Sequence, residues 1–375
     1  MQHFTHAFLP CLFLLLSVPS AQAQDSTAAA SDNTAAGTAD SATRDRSGLA
    51  ILPFIAYTPE TRWAGGGAVI YYSRAEDAPL DSRADEISGG GIYTQNKQLS
   101  IICYPEIYWD QGRWSLKGSL GYLQYPTYFY GVGNATRKED EELYEPRTLR
   151  CSAAITRYWD HLMLAVRYEA RHDKFLAVDS GGFLEQGLFT GSGGGLVSGA
   201  GVIAGIDDRD YTFSTMRGTY VRLTAMGYDG TLGSDFGFGK YTLDARRYWP
   251  LFDGHVVAAQ AYGEFTSGNA PFYMLSQLGG ENRMRGFYEG RYRNNHMLAA
   301  QAEYRLPVWW RFGVVGFAGV GAVAPTLATF SLRDVRASAG TGIRFSLDPK
   351  ERINIRLDFG IGEKLEFYFG IDEAL

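Results

Sequence analysis

From position 49 onward, apolar and polar residues alternate with a period of two, segment after segment. The clearest cases lie late in the chain. Leu298, Ala300, Ala302 and Tyr304 share one face, and Met297, Gln301, Glu303 and Arg305 share the other. Ile353, Ile355, Leu357 and Phe359 alternate with Asn354, Arg356 and Asp358. Leu365, Phe367, Phe369 and Ile371 alternate with Glu366, Tyr368 and Gly370. Successive side chains of a strand point to opposite faces, so this period predicts strands with one greasy side. Sixteen are expected, at 49–57, 63–73, 86–95, 98–109, 113–123, 147–158, 161–171, 194–206, 215–228, 236–249, 255–266, 295–306, 312–323, 333–347, 352–360 and 364–371. No amphipathic helix interrupts them, and roughly 9–14 residues suit a tilted strand crossing hydrocarbon.

The connections fall into two classes. Tight turns are expected at 96–97, 110–112, 159–160, 250–254 and 348–351, all on one side of the sheet. Longer connections, 74–85, 126–146, 172–193, 267–294 and 324–332, are expected on the other. Such alternation is the mark of an up-and-down antiparallel barrel.

Composition decides what surrounds that barrel. His3 and His6 precede an apolar run over 7–18, and Ala21-Gln22-Ala23 has the form of a cleavage site, so residues 1–23 read as a signal peptide. Residues 24–48 carry no aromatic or long aliphatic side chain and read as a disordered periplasmic linker. Beyond the leader, no run of 18 apolar residues exists to form a transmembrane helix. An exported, all-strand chain with 45 Gly, 24 Tyr and 14% aromatic residues instead reads as a transmembrane β-barrel over 49–375. The net charge of −6 lacks the basic footprint of a nucleic-acid binder. Cys103 and Cys151 fall on lipid-facing positions of strands that are not neighbours, so free thiols are expected.

One stretch, 278–305, stands apart. Its first part is Gly- and Arg-rich without a period, and a long structureless loop feeding a strand is uncommon unless it has a task. Gly279-Gly280, then Met284-Arg285-Gly286-Phe287, then Glu303-Tyr304-Arg305 resemble the signature of the bacterial surface antigen family. That family is the barrel domain of BamA- and TamA-like outer-membrane insertases and of two-partner secretion transporters. The resemblance implies that the loop after the eleventh strand folds into the barrel as a latch, with Gly280, Met284, Arg285, Gly286 and Phe287 at its core. It implies that Arg285 meets acids on the inner wall, as a buried guanidinium requires. Glu303, on the polar face of the next strand, is the expected mate. The resemblance also places a second acid on the thirteenth strand, in an aromatic-x-Asp-x-Gly pattern. Here Phe317 to Gly321 has Gly319 at the acid's position, which leaves Glu303 as the main partner.

Other candidates are weaker. Asp207, Asp208 and Asp210 lack the spacing and the glycine of a calcium loop, so an acidic turn paired with Arg209 is expected. The segment 128–134 resembles one that follows the fifth strand in the same family. It reads as a folded extracellular loop with a solvated charge run at 139–142. His161, His172, His255 and His296 sit in no hydrolase or metalloprotease motif, so no catalytic residue, metal or cofactor is expected. Pro53 lacks an N–H in the strand that must meet the last strand at the seam. It either weakens that seam or merely starts a strand.

The resemblance implies a monomeric outer-membrane barrel in contact with membrane lipid, acting in outer-membrane biogenesis or in transport of protein or lipid. The 25 residues of the linker are too few for a POTRA module, so a periplasmic partner is expected to supply substrate. A passive channel or structural barrel is the alternative, and an outer-membrane enzyme ranks last.

Overall fold

The computed structural model describes residues 47–58, 62–74, 84–211, 214–349, 352–371 and 373–375. The leader assigned to 1–23, and all of the linker but its last two residues, lie outside them. Sixteen long strands carry the fold. They are β1 (Ser47–Thr58), β2 (Arg62–Ser73), β3 (Asp85–Thr94), β4 (Leu99–Trp109), β5 (Trp114–Gln124), β6 (Glu142–Trp159), β7 (Leu162–Val178) and β8 (Gly195–Asp207). Then follow β9 (Gly218–Tyr228), β10 (Phe238–Phe252), β11 (His255–Gly268), β12 (His296–Trp309), β13 (Phe312–Ala324), β14 (Arg336–Asp348), β15 (Ile353–Ile361) and β16 (Leu365–Ile371). Each pairs antiparallel with the next. Among the described residues no ladder joins β1 to β16. A short strand, Thr127–Phe129, extends the edge of β6, and Ser276–Leu278 pairs with Tyr292–Asn294 as a separate small hairpin.

The polarity is inverted relative to a protein folded in water. Leu120, Leu149, Val166, Val202, Leu223 and Ile343 point outward and are exposed. Gln260, Glu264, Gln301, Glu303, Arg344, Arg356 and Asp358 point inward and are buried. A continuous apolar exterior around a polar interior matches a lipid solvent. Trp109, Trp159, Trp249 and Trp309 are exposed beside the turns at one rim, where an indole has apolar membrane below it and water above.

Strand order corrects two connections. Ser73 lies opposite both Ser47 and Asp85, so the connection after β2 is at the end where β1 begins. The turn after β3, around Asn96 and Lys97, therefore belongs to the opposite end, with the long loops. Length alone misplaces both. The structure also lengthens β6 and β7 to 18 and 17 residues. Pro146 is accommodated at a register shift in the β6–β7 ladder, the one kind of interior site that tolerates proline. Cys103 and Cys151 both lie opposite Leu120, one on each side of β5, and remain free.

At the long-loop end, connecting segments pack into an apolar cap. Phe272 is central: its ring centroid lies 4.8 Å from Phe129, 5.5 Å from Tyr144 and 5.7 Å from Phe175. Tilted and edge-on contacts of this kind bring large buried area with defined geometry. They fix the base of the loop between β11 and β12.

Candidate functional site

That loop enters the lumen. Its small hairpin hands the chain to Gly279 and Gly280, both with positive φ, which turn it inward. Gly280 N–H donates to the Phe287 carbonyl at 2.9 Å and Met284 N–H to the Gly280 carbonyl at 3.2 Å, closing a compact tip. Met284 and Phe287 pack with Leu278 and Tyr292 against Met297, Ala299 and Val323 of the wall. The apolar residues of the tip thus anchor it, and Arg285 is carried between them.

Arg285 is fully enclosed. Its Nη2 donates to Glu303 Oε2 at 2.6 Å and its Nη1 to Asp358 Oδ2 at 2.7 Å. The guanidinium carbon lies 3.6 Å from the centroid of Phe317. The second acid therefore comes from β15 and not from β13. Where β13 has Gly319, its neighbour Phe317 supplies an aromatic face instead. Asp358-Phe359-Gly360 carries the same Asp-x-Gly pattern two strands later, which is the signal that could have located it. Gly286 follows with φ 106°, and its N–H donates to the Tyr368 hydroxyl at 2.8 Å. That hydroxyl in turn donates to the Phe287 carbonyl at 3.3 Å.

The ion pairs continue from both carboxylates. Glu303 Oε1 accepts from Arg305 Nε at 2.8 Å, and Arg344 Nη1 donates to Asp358 Oδ1. Arg305 and Arg344 converge on Glu373, at 3.8 Å and 2.6 Å. Arg285, Glu303, Arg305, Glu373, Arg344 and Asp358 thus form a closed ring of alternating charge across the lumen. Arg356 joins Asp358, at 3.2 Å, to Glu281 of the loop, at 2.8 Å. Burial pushes the Glu281 carboxyl up to about 7 against the pull of Arg356. Charge is balanced but hydrogen bonding is not: Arg285 Nε, Arg344 Nη2 and Arg356 Nε are buried without a partner.

The other candidates resolve as follows. Arg291 and Arg293 are buried. Arg291 is held by Glu363 at 2.6 Å and by Thr136 at 2.9 Å. Segment 128–134 clasps the loop: Tyr128 packs edge-on against Tyr288 at 6.1 Å, Gly133 bridges to Arg293, and Thr127 just before it shares a hydroxyl contact with Tyr288 at 3.0 Å. Glu142, read as part of a solvated run, is buried and accepts the backbone N–H groups of Phe183 and Leu184. Arg209 pairs with Asp207 at 2.7 Å, and among the described residues no cluster of three metal-ligating groups occurs. The connection after β8 turns inward at the opposite end, where the Thr215 carbonyl meets Arg305 Nη1 at 2.8 Å. Pro53 lies opposite Gly67 in the β1–β2 ladder.

Comparison with known proteins follows from this geometry. The Omp85 superfamily domain matches residues 83–374. The chain belongs to the Omp85 superfamily. Its fold is similar to that of BamA from Haemophilus ducreyi lacking POTRA domains 1–3, with TM-score 0.59 and 15% identity over 88% of this chain and 70% of that one. It is also similar to CdiB from Acinetobacter baumannii, with TM-score 0.53 and 11% identity over 85% of this chain and 56% of that one. For CdiB from Escherichia coli the values are 0.52 and 10%, over 87% and 60%. A search by sequence finds no match among curated proteins. As an Omp85 barrel, the protein presents its apolar strands to the outer membrane and keeps its charged residues inside.

Proposed function

We propose that this Omp85 barrel is a gated outer-membrane insertase or transporter, closed at rest by the loop between β11 and β12. In this reading it moves polypeptide or lipid into or across the outer membrane, with a periplasmic protein delivering substrate. The observation that carries the reading is Arg285, fully enclosed between Glu303 and Asp358 at the centre of the lumen. A loop kept only for packing has no need of a charge there, because desolvating a guanidinium and two carboxylates is expensive. A network of alternating charge holds the loop in its docked place.

Single-channel conductance of the refolded barrel in a planar bilayer tests this. The parent is expected to be silent or to open briefly, and Arg285→Ala to stay open. A parent that conducts steadily, with Arg285→Ala indistinguishable from it, overturns the reading in favour of a passive channel.

A further inference from the structure

The ring that holds Arg285 is completed from the opposite mouth. Residues 373–375 follow β16 and turn into the lumen, where Ala374, Leu375 and the Glu373 side chain are buried. Glu373 receives Arg344 Nε at 2.6 Å and Asn354 Nδ2 at 2.9 Å, with Arg305 Nε at 3.8 Å. Leu375 packs against Tyr248, Val256, Ala258 and Met216, and its carbonyl accepts from Arg305 Nη2 at 2.9 Å. We propose that this segment is the periplasmic brace of the loop, and that a periplasmic protein drawing it out releases Arg285 from below. The proposal rests on the gated reading above and adds the handle by which the gate is worked.

The electrostatics give the direction. With Glu373 in place, the three guanidinium groups of the ring face three carboxylates. Without it, three guanidinium groups share two. Arg344 Nη2 already lies 3.9 Å from Glu303 Oε2, so Arg344 can turn towards the carboxylate that holds Arg285. In a poorly hydrated lumen, that competition and the added repulsion both act against the docked loop. The segment is held through the Glu373 carboxylate, the Leu375 side chain and the Leu375 carbonyl, a small set of contacts that a soluble partner can replace without dismantling the wall.

Hydrogen exchange of the full chain, refolded in lipid and read by mass spectrometry, tests the coupling. The loop amides of Gly280, Met284 and Gly286 are all hydrogen-bonded in the docked state. Glu373→Gln removes the charge. Leu375→Asp expels the segment from its apolar seat while leaving every side chain of the ring in place, so a folding defect in the first variant leaves the second informative. Both are expected to speed exchange over 280–287 on the order of ten-fold, with Ser276–Leu278 unchanged, as local opening of one unit requires. Exchange at the parent rate over 280–287 in a variant whose residues 373–375 have become protease-sensitive overturns the brace. Arg285→Ala separates the two ideas. If it also leaves 280–287 at the parent rate, the gated reading fails. If it alone speeds exchange, only the brace fails.

Discussion

The guanidinium carbon of Arg285 sits over the face of Phe317, 3.6 Å from the ring centroid, while its terminal nitrogens reach carboxylates on two different strands. Stacking and forked donation use the plane and the rim of one rigid group, and lysine offers neither. Arg285→Lys is therefore expected to loosen the loop nearly as much as Arg285→Ala. Phe317→Leu keeps the ion pairs and is expected to weaken docking by about 1–2 kcal/mol. Urea dependence of loop proteolysis in the refolded barrel measures both. Full protection in Arg285→Lys would contradict this account.

Two glycines meet where the loop crosses the wall. A Cβ on Gly286 would stand 2.9 Å from the Ile361 carbonyl carbon, and one on Gly360 would stand 2.8 Å from the Gly286 nitrogen. Neither neighbour is a side chain that can swing away. Gly286→Ala also meets a positive φ, a strain of roughly 1–3 kcal/mol. Both alanine variants are expected to expel the loop, although Gly360 lies outside it. Gly360→Ala with parent-like protease resistance would show that the close approach does not govern docking.

Tyr368 offers a milder test. Tyr368→Phe keeps the ring and deletes the hydroxyl that accepts from Gly286, leaving a buried N–H unpaired. A loss of about 1–3 kcal/mol in docking is expected. Hydrogen exchange at the Gly286 amide reads it directly, and an unchanged rate would mean that another acceptor takes over.

Docking of the loop is expected to depend on pH through Glu281. Its carboxyl is raised to about 7 when docked, from 4.5 in solvent, so the docked state holds a proton that the released state gives up. Stability from this group is complete below about 4.5 and is lost as pH rises through about 7, with the docking constant falling up to ten-fold per unit between them. Glu281→Gln should flatten the profile. Proteolysis rates across pH 4.5–8 give the slope, and a profile in Glu281→Gln as steep as the parent's would assign it elsewhere.

The sixteen long strands were legible because lipid outside and a polar lumen inside impose a period of two, clean in β12 and looser in β5 and β8. The pattern faded where strands leave the membrane, which is why β6 reads as starting at Arg147, although it begins at Glu142. Arg285 and Glu303 were legible as a pair through the family resemblance carried by Met284–Phe287 and Glu303–Arg305, with Glu303 on the polar face of the strand that follows the loop. Asp358 was not, since β12 and β15 meet at one guanidinium only through the curvature of the wall. The role of Glu373 was equally hidden, because no local pattern distinguishes a segment that turns into the lumen from one that leaves the sheet.

At the level of the ring, the wall carries Arg305, Arg344 and Arg356 against Glu303 and Asp358, while residue 373 adds one carboxylate and the loop adds Arg285 and Glu281. Departure of the loop takes Arg285 and Glu281 away and leaves three guanidinium groups against three carboxylates, so the constriction it vacates is electrically balanced and passes cations and anions alike. If Glu373 leaves as well, one guanidinium is left in excess and the pore prefers anions. The reversal potential in a salt gradient would then report not only that the lumen is open, but from which mouth it was opened.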